Sequence, residues 1–74
     1  MKNNNYASEK ARAQIFITQH RKDQELMDFL LMLANNKSKM MHSDRWSKIY
    51  DWMEIHYPGS NSALITGLVY WVES

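Results

Sequence analysis

The sequence contains no cysteine, one proline and two glycines in 74 residues. Without cysteine there are no disulfides and no thiolate metal sites. The three histidines, His20, His42 and His56, do not have the spacing of metal ligands, so we expect no zinc site. We expect no other metal and no cofactor. A domain of this size is only marginally stable alone and usually needs disulfides, a metal or a partner subunit. Because the first two are not expected, the sequence favours oligomerisation.

Long apolar runs are also missing. The longest one covers residues 29–34, far short of the roughly 20 residues that span a membrane. The first five residues are polar and lack the apolar region of a signal peptide. These features predict a soluble, cytoplasmic protein with no membrane association.

No catalytic constellation is visible in the sequence. There is no plausible Ser-His-Asp arrangement, phosphate-binding loop or pair of metal ligands. Asp51 and Glu54 share a helix face, but nothing acidic lies opposite them, and we interpret them as a solvated face. We therefore expect that the chain is not an enzyme.

The charge is small in sum but uneven along the chain. The net charge is +1, and all nine Lys and Arg residues lie at or before Lys48. Between Lys2 and Lys22, five basic residues accompany a single acid, Glu9, whereas only acids follow Lys48. This polarity permits a basic face for a polyanion. A solvated basic arm fits the same pattern.

Polar clusters, caps and apolar spacing predict an all-α fold with three main helices, at residues 23–35, 44–57 and 61–73. We expect residues 1–9 to form a flexible polar arm and residues 10–74 a single domain of three to four helices.

The last helix is apolar on every side, which is unusual for a small protein. We therefore predict that a second chain covers one of its sides, as in a homodimer. Gly67 lies in the middle of this helix, where glycine costs about 1 kcal/mol relative to alanine. Its presence there indicates close approach by another backbone.

Residues 13–18 allow two interpretations. With a period of two, Ala13, Ile15 and Ile17 share one face, which is typical of a short strand. With a period of 3.6, Ala11 and Ile15 align on a helix. We favour helix for residues 6–12 and strand or extended chain for residues 13–18, whereas helix throughout remains an alternative.

The helix, glycine-containing turn and helix at residues 44–73 resemble the helical pair of the ribbon-helix-helix family of DNA-binding proteins. In that family a strand precedes the first helix, and a two-stranded ribbon formed by two subunits reads the major groove. The resemblance implies a dimer whose second helices share a core. It covers about 30 of 74 residues.

The sequence offers two places for the ribbon, residues 13–18 and residues 37–42. Arginine and glutamine can pair with base edges, and lysines can contact phosphates. The last helix begins at Ser60 and Asn61 and has no acid in its first turn. Its N-terminal end could therefore hold a phosphate, although the same residues fit an ordinary helix cap equally well. The candidate DNA-binding residues are Arg12, Gln14, Thr18, Arg21, Lys22, Lys37, Lys39, Ser60 and Asn61.

A surplus of aromatic and apolar side chains in the C-terminal half indicates an interface. Its candidate residues are Trp52, Tyr57, Leu64, Leu68 and Trp71. Two functions follow from these patterns. The first is a small homodimeric DNA-binding regulator, and the alternative is a helical protein-interaction module such as an inhibitor, immunity or adaptor protein. The near-neutral charge favours the alternative, and the charge polarity favours the regulator.

Overall fold

The computed structural model describes residues 6–74, and these residues form helices joined by short turns. The four α-helices are α1 (Ala7–Gln19), α2 (Gln24–Asn35), α3 (His42–His56) and α4 (Ser62–Glu73). A single 3₁₀ turn, Lys37–Lys39, lies between α2 and α3. The all-α class and the three predicted main helices are confirmed.

Helix α4 lies at the centre of the domain. Helices α1, α2 and α3 all pack against it, and Ile65, Leu68, Val69 and Val72 are buried along its length. Its own chain therefore covers the apolar sides that we expected a second chain to cover. A helix surrounded by three neighbours is apolar on most of its circumference because each neighbour needs an apolar stripe.

The expected strand at residues 13–18 is wrong, because these residues form the second half of α1. Ala13 and Ile17, four residues apart, are buried on one side of this helix. A strand would place both on one face as well, but it would need a partner strand, and residues 6–74 contain none. Packing against α4 therefore overrides the local β preference of the Ile-Phe-Ile-Thr segment.

The close approach predicted at Gly67 is confirmed, and the approaching backbone belongs to α1 of the same chain. A Cβ atom built on Gly67 would lie 2.1 Å from the backbone oxygen of Glu9 and 3.2 Å from the Cβ of Ala13. Residues 7–9 are thus part of a packed helix and not of the predicted arm. Tyr6 directly precedes this helix, and residues 1–5 of the predicted arm lie outside the described residues.

The second candidate for a ribbon, residues 37–42, is not a strand either. It contains the 3₁₀ turn and then only two residues with extended dihedrals, Met40 and Met41, before α3 begins at His42. Neither candidate segment therefore forms the ribbon that the resemblance to ribbon-helix-helix proteins implies.

Side chains cap two of the four helices. Asp23 accepts a hydrogen bond from the backbone N–H of Leu26 and begins α2, as its position predicted. Asn61 accepts one from the N–H of Leu64 at 2.9 Å and begins α4. The turn before α4 needs Gly59, whose φ of 90° lies in the region that favours glycine.

Candidate docking groove

A groove lies between α1 and the start of α4. It encloses a volume of about 350 Å³, near the lower end of the roughly 300–1,000 Å³ typical of ligand pockets. We call it the α1–α4 groove. Its lining residues are Arg12, Ile15, Phe16, Gln19, Gly59, Ser60, Asn61 and Leu64.

Three of the eight lining residues, Ile15, Phe16 and Leu64, are apolar, and we call them the floor of the groove. Ile15 is 58% exposed there, while Phe16 and Leu64 are partly buried against the core. Ile15 faces outward because Ala13 and Ile17, two positions away on either side, face α4 and leave it on the opposite side of the helix. A large aliphatic side chain in a concave site is thus left in contact with water.

The other lining residues, which we call the rim, are polar apart from Gly59 and carry one formal charge, on Arg12. Asn61 uses its side chain to cap α4, and the hydroxyl of Ser60 donates to the backbone oxygen of Tyr57 at 2.6 Å. Arg12, in contrast, makes no ion pair and no side-chain hydrogen bond within residues 6–74. Since no acid lines the groove, its electrostatic character is positive.

The predicted DNA-binding residues do not form one surface. Arg12, Ser60 and Asn61 meet in the groove at the start of α4. Lys37 lies at the other end of the same helix, where its Nζ donates to the backbone oxygens of Glu73 (3.5 Å) and Ser74 (3.2 Å).

The remaining predicted DNA contacts lie outside the groove. The side-chain amide of Gln14 donates to the hydroxyl of Thr18 at 3.2 Å and accepts from the Nε1 of Trp71 at 2.9 Å. These bonds occupy both ends of the Gln14 amide within the protein. Arg21 and Lys22 are exposed just after α1, and Lys39 is exposed beyond α2.

The predicted interface residues also separate into several environments. Leu68 is fully buried inside the domain, where a second molecule cannot reach it. Leu64 lines the groove. Trp52 is partly buried between α2 and α3, stacked on Phe29 with ring centroids 4.9 Å apart. Trp71 is partly buried beside α1, where it bonds Gln14.

Tyr57, the last predicted interface residue, links the end of α3 to the start of α2. Its hydroxyl donates a hydrogen bond to Oδ2 of Asp23. This bond raises the pKa of Tyr57 to about 12, with burial and the Asp23 charge adding to it. The same bond, together with the Leu26 N–H, lowers the pKa of Asp23 below its usual value.

These pKa shifts predict a loss of stability at both pH extremes. A lowered Asp23 pKa contributes stability above its unfolded value of 3.8, which disappears as pH falls through the folded value. A raised Tyr57 pKa contributes stability below 10.0, which disappears as pH rises through about 12. We expect the unfolding free-energy difference between wild type and Tyr57→Phe to shrink above pH 10 and at acid pH. A difference that stays constant in urea titrations up to pH 12 contradicts the assignment.

A buried charge cluster at the other end of α4 was not predicted. Arg45 is only 7% exposed, and its Nε donates to the carboxylate of Glu73 at 2.9 Å. Its Nη1 donates to the backbone oxygens of Lys37 (2.8 Å) and Met40 (2.6 Å). The Nδ1 of His42 lies 2.7 Å from the same Glu73 carboxylate oxygen.

The spacing of residues in α3 could have predicted that Arg45 is buried. The fully buried row of α3 is Arg45, Ile49 and Met53, at intervals of four residues. A second apolar series that begins at Trp46 fits the sequence equally well, and it leaves Arg45 on another side of the helix. A charge that continues an apolar row predicts a buried ion pair.

Comparison with protein-family models, with curated proteins and with solved structures finds no match to this chain. Across residues 6–74, no helix is both long and apolar enough to cross a membrane. The described residues also contain no group of three or more metal-ligating side chains. Function must therefore be inferred from the surface of the domain itself.

Proposed function

We propose that the chain is a helical protein-interaction module whose docking surface is the α1–α4 groove. The observation that carries this proposal is the position of Ile15, which is 58% exposed in a concave site beside two further apolar side chains. Isolated exposed apolar residues are normal, but a groove that combines apolar and polar lining residues is typical of a protein interface.

The energetics of the groove favour a protein partner. Burial of apolar surface contributes a favourable free energy of roughly 25 cal/mol per Å². An apolar side chain of a partner that packs against Ile15 therefore contributes directly to binding. The rim then provides specificity, since Arg12 offers charged donors with no competing partner within residues 6–74. Arginine is also one of the residue types enriched among the energetically dominant residues of interfaces.

A photo-crosslinking residue at position 15 tests this proposal in cells of the source organism. We expect one discrete protein adduct from Ile15 and none from the same probe at Leu31, which is 50% exposed on α2. The purified adduct protein should then bind the wild-type chain. Ile15→Asp should weaken this binding by about tenfold or more, because it places a charge on the apolar floor.

The matched control for that experiment is Leu31→Asp, which changes a similarly exposed apolar side chain on another surface. It should leave binding unchanged. Equal losses from both variants, or no protein adduct at position 15, contradict the proposal. Circular dichroism spectra should show that both variants are folded.

A second candidate function, the DNA-binding regulator, is favoured by the meeting of Arg12, Ser60 and Asn61 at the start of α4. Exposed Arg21 and Lys22 follow α1 and could extend such a surface. With no ribbon to read bases, contacts to phosphates would provide the binding. A generic duplex should then bind at about 50 mM salt and dissociate steeply as salt rises. Absence of binding at this salt excludes the candidate.

A further inference from the structure

The outward face of α3 carries the most exposed of the large apolar side chains in residues 6–74. Ile55 is 76% exposed, and Asp51 and Glu54, both exposed, lie beside it within one helical turn. Neither acid forms an ion pair within residues 6–74. We call these three residues the α3 face.

The α3 face and the α1–α4 groove are chemically complementary. The groove has an exposed isoleucine, no acid and one cation that forms no ion pair within residues 6–74. The α3 face has an exposed isoleucine and two acids that form no ion pair in the same part of the chain. Each surface thus offers what the other needs to bury its apolar side chain and to neutralise its charge.

The spacing of the residues matches as well. Arg12 and Ile15 are one turn apart on α1, and Asp51 and Ile55 are one turn apart on α3. Residues three or four positions apart lie on one side of a helix, about 5–6 Å from each other. Two such helices running in parallel bring Asp51 to Arg12 when Ile55 meets Ile15.

We propose that the α1–α4 groove binds the α3 face of a second copy of this chain. This inference rests on the proposed role of the groove as a protein-docking surface and names its partner. The two surfaces share no residue, so each copy has one groove and one separate α3 face to offer. In a two-fold dimer the contact between groove and α3 face forms twice, and in a ring or an open chain it forms once between each pair of neighbours.

This association is driven by a small apolar contact and an exposed ion pair, so it is weak and sensitive to salt. It also differs from the dimer expected from sequence, in which α4 formed the shared core. Here α4 remains inside each copy, and each copy folds without the other.

Charge exchange between the two surfaces tests the inference by sedimentation equilibrium at protein concentrations up to about 1 mM. We expect wild type to associate in a concentration-dependent manner. Arg12→Glu alone and Asp51→Lys alone should each weaken association by about fivefold, because attraction becomes repulsion. An equimolar mixture of the two variants should regain wild-type association, since every contact between unlike chains is again between opposite charges.

Asp28→Lys is the matched control, because it makes the same charge change on an exposed residue of α2. It should leave association unaffected. A wild-type protein that stays monomeric at about 1 mM, or a mixture that does not regain association, overturns the second-copy inference. If such a monomer still crosslinks to a different protein through position 15, the proposed function stands and only the identity of the partner changes.

Discussion

Gly67→Ala is expected to destabilise the domain by about 3 kcal/mol, the upper part of the range for overpacked cores. The added Cβ would lie 2.1 Å from the backbone oxygen of Glu9, and a helix backbone cannot move aside as a flexible side chain can. The higher helix propensity of alanine offsets only about 1 kcal/mol of the clash. Since a domain of this size has a stability of about 5 kcal/mol, the variant should be close to unfolding.

Gly59→Ala is the matched control, because it adds the same atom where nothing lies within 4 Å. It should cost only the backbone strain of a non-glycine residue at positive φ, about 1 kcal/mol. Urea denaturation of both variants gives the comparison. Equal losses of stability would show that α1 and α4 are not in backbone contact at Gly67.

Arg45→Ala should cost a similar amount, about 3 kcal/mol. Removal of one member of a buried ion pair typically costs 3–5 kcal/mol because the other charge stays desolvated. The lower end applies here, since the Glu73 side chain is 19% exposed. The substitution also leaves the backbone oxygens of Lys37 and Met40 without their donor. At roughly 4–8 °C per kcal/mol, the midpoint of thermal unfolding should fall by at least about 12 °C.

Arg45→Lys separates charge from geometry. Arg45 reaches three acceptors with two different nitrogens, whereas a lysine ammonium is a single point of donation. We expect Lys to recover less than half of the lost stability. In a double-mutant cycle, Glu73→Gln should cost much less in the Arg45→Ala background than in wild type. Additive losses contradict a direct Arg45–Glu73 interaction.

Helices α2, α3 and α4 were predictable from sequence because their signals are local. Asp23 caps α2, Pro58 follows α3, and Asn61 lies in the polar cluster before α4. The glycine in α4 correctly indicated a close backbone. Which backbone approaches depends on the path of the whole chain, and no local pattern contains that information.

The strand interpretation of residues 13–18 failed for a tertiary reason. Ile15 and Ile17 suggested a common face, but the structure buries Ile17 and exposes Ile15. Only the helical period separates these two residues, and it became decisive once α4 provided a surface for Ala13 and Ile17. The β preference of a short segment is weak evidence when a packing partner exists elsewhere.

The candidate site was predictable only in part. The sequence predicts that Arg12 pairs with base edges and that Ser60 and Asn61 hold a phosphate, and the structure brings these three residues together in the groove. The apolar floor beneath them was not foreseen, because Ile15 was expected to face a core. The exposed side chain of Ile15 is the reason why we propose a protein partner rather than a polyanion.

Most features of the domain depend on the packing of α1 on α4. This packing makes residues 13–18 helical and not part of a ribbon, places α4 inside one chain and forms the groove. A nuclear Overhauser spectrum of the ¹⁵N,¹³C-labelled protein tests it most directly. The packing of α1 on α4 predicts helical chemical shifts for residues 13–18 and strong cross-peaks from the α-protons of Gly67 to the methyl group of Ala13. Extended-chain shifts for residues 13–18, with no cross-peak between Gly67 and Ala13, would contradict it.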